Sequence, residues 1–95
     1  MSLEVVFSSD AKQTFSAITI FVRDQWGVSA AERFVKKVYD KIDLISVNPH
    51  LYKASGLDPN VRVAFITAQC SLVYKIHPDR IYLLYFWDNR QQPIT

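Results

Sequence analysis

The side chains that could do chemistry are a small set of cations at the ends of strand-like segments. Arg62 and Lys75 lie inside such segments, His77 directly follows one, and Arg90 lies just past the last. Together on one sheet face they would form a cationic groove for phosphate or for an acidic peptide. The same spacing is also typical of an ordinary solvated face, which is the simpler interpretation.

Each cation also has a structural interpretation. His77 precedes Pro78, so it suits a turn better than a catalytic base. Arg90 could recognise phosphate, form a salt bridge with Asp88 or cap the strand end. Arg62 lies in an apolar segment and therefore needs a partner, which is either a ligand or a structural group such as a helix carboxylate.

The remaining polar residues give weaker indications. Lys53 and Tyr52 lie in a loop and could reach a ligand, although Tyr52 also suits an anchor to the core. Cys70 has no histidine pair nearby and is interpreted as a buried or idle thiol. Two glycines and two separated histidines offer neither a phosphate loop nor a metal site, so we expect no cofactor. Metal-free RNA cleavage would need a base, an acid and cations, of which the cations are the clearest.

The periodicity predicts the elements that must position these residues. Apolar residues alternate over Leu3–Phe7, which predicts a strand. Helical spacing follows on both sides of Gly27, which should end the first helix in left-handed backbone. Ser29 and Glu32 match a capping box, so the second helix should begin at Ser29 and end before Pro49.

Three strands should follow as an antiparallel meander over 61–65, 72–76 and 81–87. The last is apolar on both faces, which favours a central position with the first strand on its free side. The helices should cover one sheet face and leave the other partly open. The residues expected to face the helices are Val61, Val63, Phe65, Leu72, Tyr74 and Ile76, which would turn Arg62 and Lys75 to the open face.

Composition places these elements in one domain spanning residues 1–95. Nearly half of the residues, 49%, are hydrophobic, which argues against disorder. The net charge of +2 permits an anionic partner without requiring one. A single cysteine, no signal peptide and no long apolar segment predict a soluble cytoplasmic protein without a membrane contact. The predicted class is α+β, a helical hairpin on a four-stranded, mainly antiparallel sheet.

The order of these elements resembles the RelE/ParE superfamily, the toxins of bacterial type II toxin–antitoxin systems and related plasmid-stabilisation proteins. The resemblance covers nearly the whole chain. It is carried by four motifs: Asn48-Pro49 followed by Tyr52, the segment 61–63, the segment 72–76, and an apolar strand that ends in Asp88-Asn89-Arg90-Gln91-Gln92-Pro93.

The resemblance implies a small toxin that a cognate antitoxin neutralises, with operator DNA bound only through the antitoxin complex. RelE-like members cut messenger RNA on the ribosome, whereas ParE-like members inhibit DNA gyrase. A degenerate, non-toxic member that only binds an antitoxin is a third possibility.

Several positions depart from the nuclease pattern. Ser71 stands where RelE-like nucleases have an arginine, and Ala64 stands where they have a second basic residue. The sequence ends at Thr95 without the tyrosine or His-Tyr pair of many such nucleases. Arg62 and Arg90 are the remaining catalytic candidates, so the pattern is closer to the ParE-like branch.

Overall fold

The computed structural model describes residues 2–56 and 58–91. Its elements are β1 (Glu4–Phe7), α1 (Ser9–Trp26), α2 (Val28–Val47), β2 (Val61–Thr67), β3 (Cys70–Ile76) and β4 (Arg80–Asp88). The sheet order is β1-β4-β3-β2, with β1 parallel to β4 and the other neighbours antiparallel. This confirms a helical hairpin on a mainly antiparallel sheet, with the first strand on the free side of the last.

A side-chain cap begins α1, and a glycine forms the joint between α1 and α2. The Ser8 hydroxyl accepts the Ala11 amide at 2.9 Å and caps α1. Gly27, with φ of 93°, ends α1 and immediately precedes α2. The predicted start at Ser29 is wrong, because α2 already begins at Val28 and has no side-chain cap. The predicted end before Pro49 is confirmed.

An aromatic cluster joins the helices to the sheet. Phe15 of α1 lies 5.1 Å from Phe86 of β4 and 6.1 Å from Phe34 of α2, measured between ring centroids. Phe7 of β1 lies 6.3 Å from both Phe15 and Phe86. The aromatic cluster therefore joins side chains of four elements within one core, and Phe7 packs against that core from β1.

The predicted facing of β2 is wrong. Ala64 is fully buried, whereas Phe65 is 61% exposed. Ala64 pairs with Leu72 and Arg62 with Tyr74, so Arg62 shares the helix-facing side of the sheet. β2 carries apolar residues on both faces, and a bulge lies between Phe65 and Thr67, so alternation alone could not choose between its faces.

The backbone conformation of Gly27, between the two helices, should not tolerate a side chain. At φ 93° and ψ 174°, Gly27 lies in a region that is almost exclusive to glycine. Gly27→Ala should therefore lower the free energy of unfolding by about 1–3 kcal/mol, measured by urea denaturation. Gly56→Ala is the matched control, because its added Cβ meets no atom within 4 Å and Gly56 has no positive φ. Equal stability of both variants would contradict this account.

Candidate partner-binding site

The predicted cations lie at two ends of the sheet. Lys75 pairs across the sheet with Val61 and Tyr82, which form one row. Asp88, two residues before Arg90, pairs with Cys70 at the other end. Five residues of strand separate these rows, about 17 Å at 3.3 Å per residue. These residues therefore do not form the single cationic groove that the sequence left open as an alternative.

Arg62 is engaged by the loop that precedes β2. Its Nη1 donates to the Tyr52 carbonyl at 2.9 Å, and its Nε donates to the Pro59 carbonyl at 3.0 Å. The structural partner left open by the sequence is thus a pair of backbone carbonyls, not a helix carboxylate. These two bonds hold both ends of the loop. The main role of Arg62 in the fold is therefore to position the loop, and fewer of its donors remain for a ligand.

Tyr74 holds the start of the same loop from within the core. This residue is fully buried, and its hydroxyl donates to the Pro49 carbonyl at 2.7 Å. Burial raises the pKa of Tyr74 to about 12, against an opposing effect of the Arg62 charge. Tyr52 packs on the core and lies 5.2 Å below the Lys41 ammonium, which confirms its anchoring role.

Lys75 and His77 lie at the open end of the sheet, next to this loop. Lys75 turns away from the helices as expected, and its ammonium is 3.7 Å from the Asp58 carboxylate. The His77 ring meets Tyr82 edge-on, with centroids 4.7 Å apart. Both side chains are only partly exposed, and each already has an intramolecular contact.

Lys53 belongs to a segment that covers part of the free edge of β2. Its carbonyl accepts the Val63 amide at 3.3 Å, and Ser55 donates to the Val61 carbonyl at 2.7 Å. The Lys53 side chain itself is exposed. The segment therefore uses its backbone to pair with the sheet, while the Lys53 ammonium stays available at the surface.

Arg90 is held at the opposite end of the sheet. Its guanidinium forms a two-point pair with Asp88, one bond being Nε to Oδ1 at 2.9 Å. The same group lies 3.5 Å above the Phe21 ring of α1. Its side chain is still 49% exposed, so the contacts orient Arg90 without removing it from solvent. The arginine bonds hold the pKa of Asp88 below its ordinary value.

Ser71 occupies a packed position beside this ion pair. It is 7% exposed, and its hydroxyl donates to Asn89 Oδ1 at 3.0 Å. The Asn89 amide group in turn donates to the Thr67 carbonyl at 3.2 Å. An arginine side chain at position 71 would have to displace this network. Ser71 therefore belongs to the local packing of this chain.

Cys70 is fully buried in the core. Burial, with a further contribution from the Asp88 charge, raises the pKa of its thiol to about 12. This confirms the interpretation of a buried thiol. Across residues 2–56 and 58–91, no three His, Cys, Asp or Glu side chains cluster as metal ligands would.

A groove that the sequence reasoning missed runs between α2 and the free edge of β2. It comprises two cavities, of about 490 and about 260 Å³, which share Lys37 and Ile66. Arg33 lines the first, Lys41 the second, and Lys37 both. These three cations recur every four residues, so they share one face of α2. That i, i+4 spacing was the signal that could have revealed them.

Comparison with families of known proteins identifies the chain. A family model described as "ParE toxin of type II toxin-antitoxin system, parDE" matches residues 5–93. The chain belongs to the ParE toxin family. The resemblance proposed from the sequence is thereby confirmed.

Solved structures share the fold of this ParE-family chain. A chain of the chromosomal ParDE toxin–antitoxin system from P. aeruginosa aligns with a TM-score of 0.75 and 13% identity, over 92% of this chain and 96% of that one. The YoeB dimer from Staphylococcus aureus gives 0.62 and 18%, over 90% and 94%. A copper-bound mutant toxin from Helicobacter pylori gives 0.61 and 17%, over 96% and 99%. Curated protein sequences gave no match.

Removal of the Arg62 side chain should destabilise the fold. Arg62→Ala leaves the Tyr52 and Pro59 carbonyls without their charged donor, so the free energy of unfolding should fall by about 1.5–3 kcal/mol. Arg80→Ala is the matched control. Arg80 pairs with the adjacent Asp79 at the surface and interacts with Tyr82, so its loss should cost at most about 1 kcal/mol. Urea denaturation measures both. Equal losses would show that Arg62 does not hold the loop.

The buried Cys70 thiol should make the folded protein less stable at alkaline pH. The folded-state pKa of Cys70 lies above its ordinary value of 9.0, at about 12. The unfolded chain therefore releases the thiol proton first, and stability should fall as pH rises above about 9. Cys70→Ala should flatten the slope of unfolding free energy against pH between 9 and 10, while leaving the slope between 6 and 8 unchanged. Identical slopes in both proteins above pH 9 would contradict the burial of the thiol.

Proposed function

We propose that this ParE-family protein is a cytoplasmic toxin that acts by binding DNA gyrase and is neutralised by a cognate antitoxin. Operator DNA would be bound only through the toxin–antitoxin complex. No helix in the described part of the chain is both long and apolar enough to span a bilayer. The proposal extends the family membership to a target, a partner and a compartment.

The observation that carries the proposal is the separation of the two arginine candidates. Metal-independent RNA cleavage needs an acid, a base and cations around one phosphate. Here Arg62 donates to two loop carbonyls at one end of the sheet, and Arg90 pairs with Asp88 at the other. An arrangement of this kind supports action by binding over action by cleavage.

The antitoxin belongs to the proposal for a second reason. Several large apolar side chains are exposed, among them Trp26 at 55%, Val28 at 63% and Phe65 at 61%. Trp26 and Phe65 line the same cavity, and exposed apolar side chains that lie near one another favour association with a partner. The ParDE system from P. aeruginosa, which shares the fold, supports an antitoxin as that partner.

A supercoiling assay tests the proposed target. Purified protein added to gyrase and relaxed plasmid should inhibit supercoiling, and prior addition of the product of the neighbouring reading frame should restore it. The same protein in a translating extract should leave messenger RNA intact. Uninhibited gyrase would contradict the gyrase target.

The nuclease alternative predicts a different result in the same extract. Cleaved messenger RNA that becomes intact with Arg90→Ala but stays cleaved with Arg80→Ala would establish a RelE-like nuclease instead. The two arginines are matched, since each pairs with a nearby aspartate at an end of β4. Normal growth after induced expression, with gyrase unaffected, would identify a non-toxic member.

A further inference from the structure

The groove between α2 and β2, hereafter the α2–β2 groove, combines an apolar floor with a basic wall. Phe34 and Val22 are buried at its base, and Ile66 of β2 is partly buried on the opposite side. Arg33 and Lys37 line the α2 wall and are exposed. Apolar side chains could therefore be buried at the bottom while carboxylates reach the wall.

The cations on this wall are more available than most of those predicted from the sequence. Lys75 and Arg90 each form an ion pair, and Arg62 is occupied by carbonyls, whereas the Lys53 side chain stays exposed. Within residues 2–56 and 58–91, Arg33 and Lys37 form no ion pair. Lys41 continues the same face of α2 and lies over the Tyr52 ring. Asp40 is the one carboxylate among the described residues that line the groove, and it is paired with Lys36.

The β2 wall of the groove has an uncovered backbone edge. Ser55 and Lys53 pair with Val61 and Val63, which shows that these odd-numbered residues direct their amides and carbonyls outward. The same alternation directs the backbone of Phe65 outward. Among the described residues, β2 is the last strand of the sheet on this side. An uncovered edge next to an exposed aromatic side chain favours pairing with another chain.

We propose that the α2–β2 groove binds an extended, acidic segment of a partner protein, which pairs with the β2 edge from Phe65 onward. A strand beside β2 places alternate side chains over the helix side of the sheet, where its carboxylates meet Arg33 and Lys37. The side chains of its other face lie beside Phe65. This inference deepens the proposed function by assigning the antitoxin its contact surface and its charge.

A peptide fits this groove better than a nucleic acid. A phosphate backbone would bring charge over the apolar floor formed by Phe34 and Ile66 and past the Asp40 carboxylate. It would also leave the outward amide and carbonyl of Phe65 without the regular partners that a strand supplies. An alternating acidic and apolar segment meets all three surfaces at once.

A matched pair of charge reversals tests the proposal on the full chain. The groove variant carries Arg33→Glu and Lys37→Glu, and the control carries Lys12→Glu and Arg23→Glu on exposed helix positions outside the groove. Both change the net charge equally, and circular dichroism confirms folding. The probe is the product of the neighbouring reading frame, titrated by calorimetry. The groove variant should bind at least about 30-fold more weakly, and the control should bind as the unaltered protein does.

Amide hydrogen exchange provides a second readout. Binding should slow exchange at the Phe65 amide by at least about tenfold, because a new strand accepts this donor. Unaltered affinity of the groove variant, or an unprotected Phe65 amide in a saturated complex, would overturn the inference while the antitoxin proposal stands.

Failure of the antitoxin proposal gives a distinct result. If the neighbouring product does not bind the unaltered protein, two synthetic peptides of about ten residues decide the inference. One alternates Glu with Val, and the other alternates Lys with Val. The acidic peptide alone should shift the NMR signals of Arg33 and Phe65. Equal effects of both peptides, or displacement of the acidic peptide by single-stranded RNA at the same residues, would overturn the inference.

Discussion

The helical hairpin covers only one face of the sheet, and every polar group on that face must find a partner inside the chain. This constraint determines what the charged residues can do. Tyr74 bonds to the Pro49 carbonyl, Arg62 to two loop carbonyls, and Asp88 to Arg90. Within residues 2–56 and 58–91, no buried side-chain nitrogen or oxygen lacks a hydrogen bond. Polar groups that the sequence suggested could bind a ligand therefore form hydrogen bonds within the folded chain.

The same constraint explains which part of the β2 edge remains without a hydrogen-bonded neighbour. Loop residues 53–55 cover the start of the β2 edge, and Arg62 holds that loop in place. Beyond Val63 the edge continues without a neighbouring strand in the described part of the chain. The charges on the near side of α2 face this uncovered stretch. The cations that secure the fold are thus distinct from those that we propose meet a partner, because an arginine held by loop carbonyls or by an aspartate has fewer free donors.

The element order, the pairing of β1 with β4 and the family resemblance could be predicted, since each rests on periodicity, turn residues or motif order over many positions. The face of β2 could not be predicted. Its residues are apolar on both sides, and the partners of Arg62 are backbone carbonyls, which leave no trace in side-chain patterns. Arg33 and Lys37 were not singled out from the sequence, because their place beside the β2 edge depends on how α2 packs against the sheet. The spacing of residues along a helix does not indicate which strand the helix faces.

Chemical modification of the arginines tests the central claim most directly, namely that the fold occupies Arg62 while leaving Arg33 free. Limited treatment of the native protein with a dicarbonyl reagent, followed by peptide mass spectrometry, measures the labelling rate of each guanidinium. The account predicts rapid labelling of Arg33 and slow labelling of Arg62, whose Nε and Nη1 are engaged by Pro59 and Tyr52. If Arg33 and Arg62 were labelled at the same rate in the folded protein, and at the rate that both show in urea, the claim would be contradicted.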